Sequence, residues 1–170
     1  HFDAFISYSH AFDGQLAPAV QNGLQRLTKP WYKLRALRIF RDETGLTVNT
    51  ALWASIEVAL NNSKFFILMA SPQAAKSKWV DREIQHWLAK DPEAKDRILI
   101  VLTEGELFWD SQSNDFDWQR STNVSKVLSG VFKEEPRYLD LRWARSETQL
   151  DLRHSQFRNA IADIAAPIHE

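Results

Sequence analysis

Residues 64–70 read "KFFILMA", six apolar side chains in a row after one lysine. The run is short, continuous and bounded by "NNS" at 61–63 and by Ser71-Pro72, which suits a strand rather than a helix. A strand apolar at every position has no wet face. That pattern belongs to a parallel sheet covered on both sides by helices. Working outward, "FDAFISY" (2–8), "LRALRIF" (34–40), "RILIVL" (97–102) and a weaker segment at 137–141 supply four further strands. Between them the apolar period changes to that of a helix. Leu16, Val20, Leu24 and Leu27 recur behind Asp13, which is placed to act as an N-cap. Leu52, Ile56 and Leu60 mark a second helix, and Val80, Ile84, Trp87 and Leu88 a third, in the stretch that Ser71-Pro72 opens. A short helix is expected near 122–130, and a final one over 147–166 faces inward through Leu150, Phe157, Ile161 and Ile164. The acidic, aromatic segment 103–121 has no regular period and reads as a long loop.

Strands alternating with helices predict an α/β protein: a flavodoxin-like, doubly wound, five-stranded parallel sheet with helices on both faces. Residues 1–170 are expected to form a single domain. The chain opens at His1 rather than Met and is read as a piece excised from a longer multidomain protein. Ligands of such folds sit outside the carboxyl ends of the strands. Those ends are "SYSHAFDG" (7–14), "FRDETG" (40–45), "ASPQAAKSKW" (70–79) and "LTEGELFW" (102–109).

Composition removes several chemistries. A net charge of −1 gives no field that would draw in nucleic acid. No apolar run approaches the roughly 18 residues of a membrane span. Without cysteine there is neither a disulfide framework nor a thiolate metal site, which suits the cytoplasm. The five histidines show no ligand spacing, so no metal is expected. Neither GxGxxG nor GxxxxGK[ST] occurs, and no GxSxG elbow. A phosphorelay receiver needs paired acidic residues ending its first strand, where this chain has "SYSH". Any catalysis here uses few residues.

Four segments in order resemble a TIR (Toll/interleukin-1 receptor/resistance protein) domain of the bacterial type. "FDAFISYSH" is similar to the family's first box, and "RIFRDETGLTVNTALWASIEVAL" (38–60) to its second strand, BB loop and following helix. "NNSKFFILMASPQAAKSKWVDREI" (61–84) resembles the third strand and the Trp-x-x-x-Glu helix, and "RILIVL" the fourth strand. The resemblance implies an NAD+ glycohydrolase, or a cyclase, acting in self-associating signalling or antiphage defence. The family's essential glutamate then matches Glu83 and its stacking aromatic Trp79. NAD+ would be the substrate, and no cofactor is needed.

The chemistry agrees with so small a set. Nicotinamide leaves as a neutral molecule from a cationic pyridinium, so one carboxylate can stabilise the oxocarbenium-like ribose without a second acid. An aromatic face beside it holds the flat cation. Trp79 and Glu83 are i and i+4, one face of a helix, and about 100° around from the Val80/Ile84/Trp87/Leu88 stripe. They are therefore expected to border an open cleft. Ser9 and His10 at the first strand end, with Arg41 and Asp42 at the start of the BB loop, are candidates for substrate contact. Leu46, Val48 and Trp53 read as exposed apolar surface for assembly with other TIR domains, in head-to-tail arrays through the BB loop. An open cleft would leave Glu83 in water, so that a neighbouring domain would have to complete the pocket. Two other readings stand beside the enzyme: a non-catalytic adaptor that signals by TIR–TIR assembly alone, and a receptor that binds a nucleotide signal without cleaving it.

Overall fold

The computed structural model describes residues 1–27, 36–37 and 50–169. Its centre is the run that opened the sequence reading: Ser63–Ala70 forms β3, an eight-residue strand. β1 (Phe2–Ser7) lies parallel along one side, with Phe2 opposite Ser63 and Ser7 opposite Leu68. β4 (Ile98–Leu102) lies parallel along the other, pairing Phe66 with Ile98 and Ala70 with Leu102. β2 (Ala36–Leu37) extends the sheet beyond β1, and β7 (Tyr138–Asp140) beyond β4. The five-stranded order is β2-β1-β3-β4-β7, all parallel. From β1 the chain winds outward to β2, then returns to β3 and winds the other way. The β1/β3 pair is thus the switch point at which α/β sheets open a crevice.

Alternation along the strands sends side chains to two separate cores. Phe5, Phe66, Leu68, Ala70, Ile100 and Leu102 face one side, packed with α3 (Thr50–Asn61) and α5 (Lys78–Leu88). Ala4, Ile6, Ile67, Met69 and Val101 face the other, packed with α2 (Leu16–Leu27) and α6 (Ser155–His169). In the second core Gly23 lets α2 and α6 close on each other: a Cβ there would come within 2.9 Å of Ile161. Trp87 anchors the first core; it is fully buried, and its indole N–H donates to the Ala94 carbonyl at 2.8 Å. Truncating a buried Trp of this kind costs about 3–5 kcal/mol.

Four expectations change. Asp13 does not cap the Leu16 helix; it ends a separate short helix, α1 (His10–Asp13), and α2 begins three residues later. Its carboxylate is taken by partners far along the chain, Thr103 and Arg145, which outcompete a local cap. The stretch opened by Ser71-Pro72 is two helices, α4 (Pro72–Lys76) and α5, separated at Ser77. Ser71 and Ser77 each accept a hydrogen bond from a backbone N–H three residues on, so each starts its own helix. The last helix starts at Ser155 rather than 147, after a 3₁₀ segment at Arg142–Ser146, while the expected helix near 122–130 is a single 3₁₀ turn at Lys126–Leu128.

The fourth change is in 103–121, which carries an antiparallel ribbon, β5 (Trp109–Asp110) with β6 (Asp115–Phe116). Phe116 is its core, edge-on to Trp109, Trp118 and Phe132. Asp115 accepts from Trp118 Nε1, Ser129 Oγ, Gly130 N and the Phe116 amide. Irregular apolar spacing concealed an organised aromatic knot. The expected strand at 34–40 is described only at Ala36–Leu37.

Candidate active site

α5 carries the centre of the site. Ser77 starts it by accepting from Val80 N at 3.2 Å, and Asp81 in the first turn suits the positive end of the helix. The helix buries Trp79, Val80, Glu83, Ile84 and Trp87, leaving Lys78, Arg82, Gln85 and Ala89 outside. The buried stripe is wider than the apolar spacing suggested, because α5 is packed on the sheet, against α3 and against the 3₁₀ turn at Lys126–Leu128.

Glu83 is 0% exposed. Ser7 Oγ donates to its Oε1 at 2.8 Å. Ser7 is the last residue of β1 and, two positions from Phe5, points to the α5 side of the sheet. The carboxylate is therefore held over the carboxyl end of the β1/β3 switch. The expectation of a flat, open cleft with Glu83 in water is corrected. Packing within one chain already withdraws Glu83 from solvent, so the argument that a neighbour is needed to dry it falls away. In such surroundings the field of a charge is several times stronger than in water.

Trp79, one turn before Glu83, is 8% exposed and lies 6.1 Å centroid to centroid from Trp53 of α3, the rings tilted at 44°. Trp53 corrects a second expectation: it is 7% exposed rather than a bare apolar surface. Its indole N–H donates to Glu57, His86 meets its face edge-on, and the Arg82 guanidinium lies 3.9 Å from the ring centroid. Trp53 and Trp79 together form an aromatic wall beside Glu83's helix turn. Ser9 is buried, and its carbonyl accepts from Phe12 N at 3.2 Å and Asp13 N at 2.8 Å. His10 is exposed, stacked on Tyr8 at 6.2 Å. Arg41, Asp42, Leu46 and Val48 lie outside the described residues.

Sequence reasoning missed Ser7. Its one signal was a polar residue in phase with Phe5 on a buried strand, a position that demands a partner. Among the described residues no group of three His, Asp or Glu is arranged to hold a metal ion, and no helix is long and apolar enough to cross a membrane.

A doubly wound sheet with a buried glutamate on the helix after its third strand fits the family that the sequence resembled. The TIR domain profile matches residues 4–151, and the chain belongs to the TIR domain family. It is similar to a curated protein named NAD(+) hydrolase ApTIR, from Actinoplanes sp. (strain ATCC 31044 / CBS 674.73 / SE50/110). The two are 61% identical over 168 residues, which is 99% of this chain and 23% of that protein. The chain thus spans under a quarter of that relative's length. Among solved structures it overlays the TIR domains of the activated Roq1 resistosome directly recognizing the pathogen effector XopQ. The TM-score is 0.46 at 15% identity, covering 98% of this chain and 84% of that one.

Proposed function

We propose that this domain hydrolyses the nicotinamide–ribose bond of NAD+, with Glu83 as the catalytic carboxylate and Trp79 as the ring that receives the nicotinamide. The single observation that carries this reading is a fully buried glutamate, aligned by a serine hydroxyl at the carboxyl end of the switch strands. A neutral residue or an exposed one would serve packing as well. The name of the 61%-identical relative supports the same substrate.

In the reaction the bond from ribose C1′ to the pyridinium nitrogen breaks, and its electron pair leaves with neutral nicotinamide. Positive charge develops on C1′ and the ring oxygen. Glu83, pre-aligned by Ser7, stabilises that charge without reorganising. A water oxygen then bonds to C1′ and releases its proton, giving ADP-ribose. Attack by a ring nitrogen of the substrate's own adenine gives a cyclic product instead. Ser9 and His10, on the turn after β1, and Arg41 and Asp42 are assigned to ribose and phosphate contact.

The domain works inside a longer cytoplasmic protein of signalling or defence, with TIR–TIR assembly through residues 41–48. Trp53, taken up by packing inside the chain, is not assigned to that surface. Nucleic acid and membrane are not partners of this domain, whose net charge is −1. The test is direct: concentrated protein is incubated with NAD+ and nicotinamide release is followed for wild type and Glu83→Gln. Release by wild type that the variant lacks supports the assignment, and equal release refutes it.

A further inference from the structure

A second buried carboxylate sits at the same end of the sheet, on the opposite face. Asp13 is 0% exposed. Thr103 Oγ1, just past β4, lies 2.8 Å from its Oδ2 and 3.2 Å from the carbonyl of Ala70, the last residue of β3. Arg145, from the 3₁₀ segment before α6, pairs with its Oδ1. The same guanidinium donates Nε–H to the Thr103 carbonyl at 3.2 Å and stacks on Phe12, 3.5 Å from the ring centroid. Asp13 thereby ties α1 to β4 and to the segment before α6. Its own backbone N–H donates to the Ser9 carbonyl at 2.8 Å, and two residues before Ser9 stands Ser7, bonded to Glu83.

We infer that Asp13 is a positioning residue: clamped by Thr103 and Arg145, it fixes the turn of residues 9–13 and, through Ser9 and Ser7, the substrate-facing edge beside Glu83. Nothing in the reaction uses Asp13 itself. A scaffold that needed only stability would fill this space with apolar side chains, because a buried ion pair rarely repays its desolvation. An ion pair that bonds to three separate segments instead specifies their relative position.

Titration supports the same role. Burial, opposed by Thr103 and Arg145, pushes the Asp13 carboxyl up to about 6, with Glu104 adding to the rise. The groups facing it are Thr103 and Glu104 from the end of β4 and Arg145 from the 3₁₀ segment, while His10 is the titratable neighbour on its own helix. Protonation near that pH removes the charge that holds Arg145. The clamp loosens while the buried charge's desolvation cost disappears, so site geometry and global stability move in opposite directions.

The inference rests on the NAD+ reading for its kinetic arm and is independent of it in its structural arm. Asp13→Asn, Arg145→Gln, Thr103→Val and Thr103→Ser are compared with wild type. An amide at 13 can still reach Thr103, and Arg145 is 30% exposed, so two routes to folded protein are available. The clamp-breaking variants should raise KM for NAD+ by between about tenfold and a hundredfold, the size of a misplaced site edge, with a smaller change in kcat. Thr103→Ser, which keeps the hydroxyl, should stay within about threefold of wild type. Wild-type KM should rise as pH falls through about 6, and that of Asp13→Asn should not. Independently, amide hydrogen exchange in peptides spanning 8–14 should speed up in Asp13→Asn at a melting temperature no lower than that of wild type. Unchanged exchange overturns the clamp whether or not NAD+ is cleaved. Faster exchange with unchanged KM overturns the positioning role. Absence of any cleavage by wild type counts against the NAD+ reading alone, and the exchange result then decides the clamp.

Discussion

Glu83 and Asp13 are both wholly buried carboxylates at the carboxyl edge of one sheet, on its two faces. Asp13 meets a threonine hydroxyl and an arginine; Glu83 accepts a hydrogen bond from the Ser7 hydroxyl. A guanidinium neutralises its partner and ties it into the scaffold. A hydroxyl orients the carboxylate it donates to and brings no charge of its own. Burial alone does not mark a catalytic acid.

The largest effect should come from removing the carboxylate of Glu83 itself. Glu83→Gln is expected to lower turnover of NAD+ at least about a hundredfold, with a melting temperature close to wild type. Turnover assays on matched, folded samples check it; equal rates would make the two carboxylates equivalent.

Ser7→Ala comes next. Losing a hydrogen bond to a charged group should lower kcat about tenfold, more than it changes KM. A change confined to KM would move Ser7 from orienting Glu83 to contacting substrate.

Trp79→Ala should mainly weaken substrate capture, raising KM by roughly threefold to thirtyfold, while Trp79→Phe keeps a ring face and loses less. Michaelis constants unchanged in both variants would remove Trp79 from substrate contact and leave it a packing residue.

The last contrast between the carboxylates is one of stability rather than rate. Asp13's folded pKa lies above its unfolded value of 3.8, so the folded state binds the extra proton between about 6 and 3.8. Its desolvation cost is full above that window and relieved as pH falls through it. Relative to Asp13→Asn, wild type should therefore gain about 2 kcal/mol of stability between pH 7 and pH 4. Urea unfolding at the two pH values measures the difference, and a loss instead of a gain would reverse the assignment of Asp13 as a costly buried charge.

By itself the sequence determined what depends on local period. Continuous apolar runs at 64–70 and 97–102 led to the central strands, and the helical spacing of Val80, Ile84 and Trp87 to α5, because burial on both faces of a sheet leaves no room for polar alternation. The family resemblance singled out Glu83 and Trp79 as the reaction's residues. Only the tertiary structure decided which polar residues are buried and what they meet. Asp13 looked like a cap because capping is read from neighbours in sequence, whereas its partners are 90 and 132 residues away. Ser7 looked like the tail of a strand until α5 brought Glu83 to it from 76 residues on. Trp53 looked like bare surface, although α5 covers it with Arg82, His86 and Trp79. The strength of a charge depends on the dielectric and donors around it, and those are assembled from every part of the chain at once.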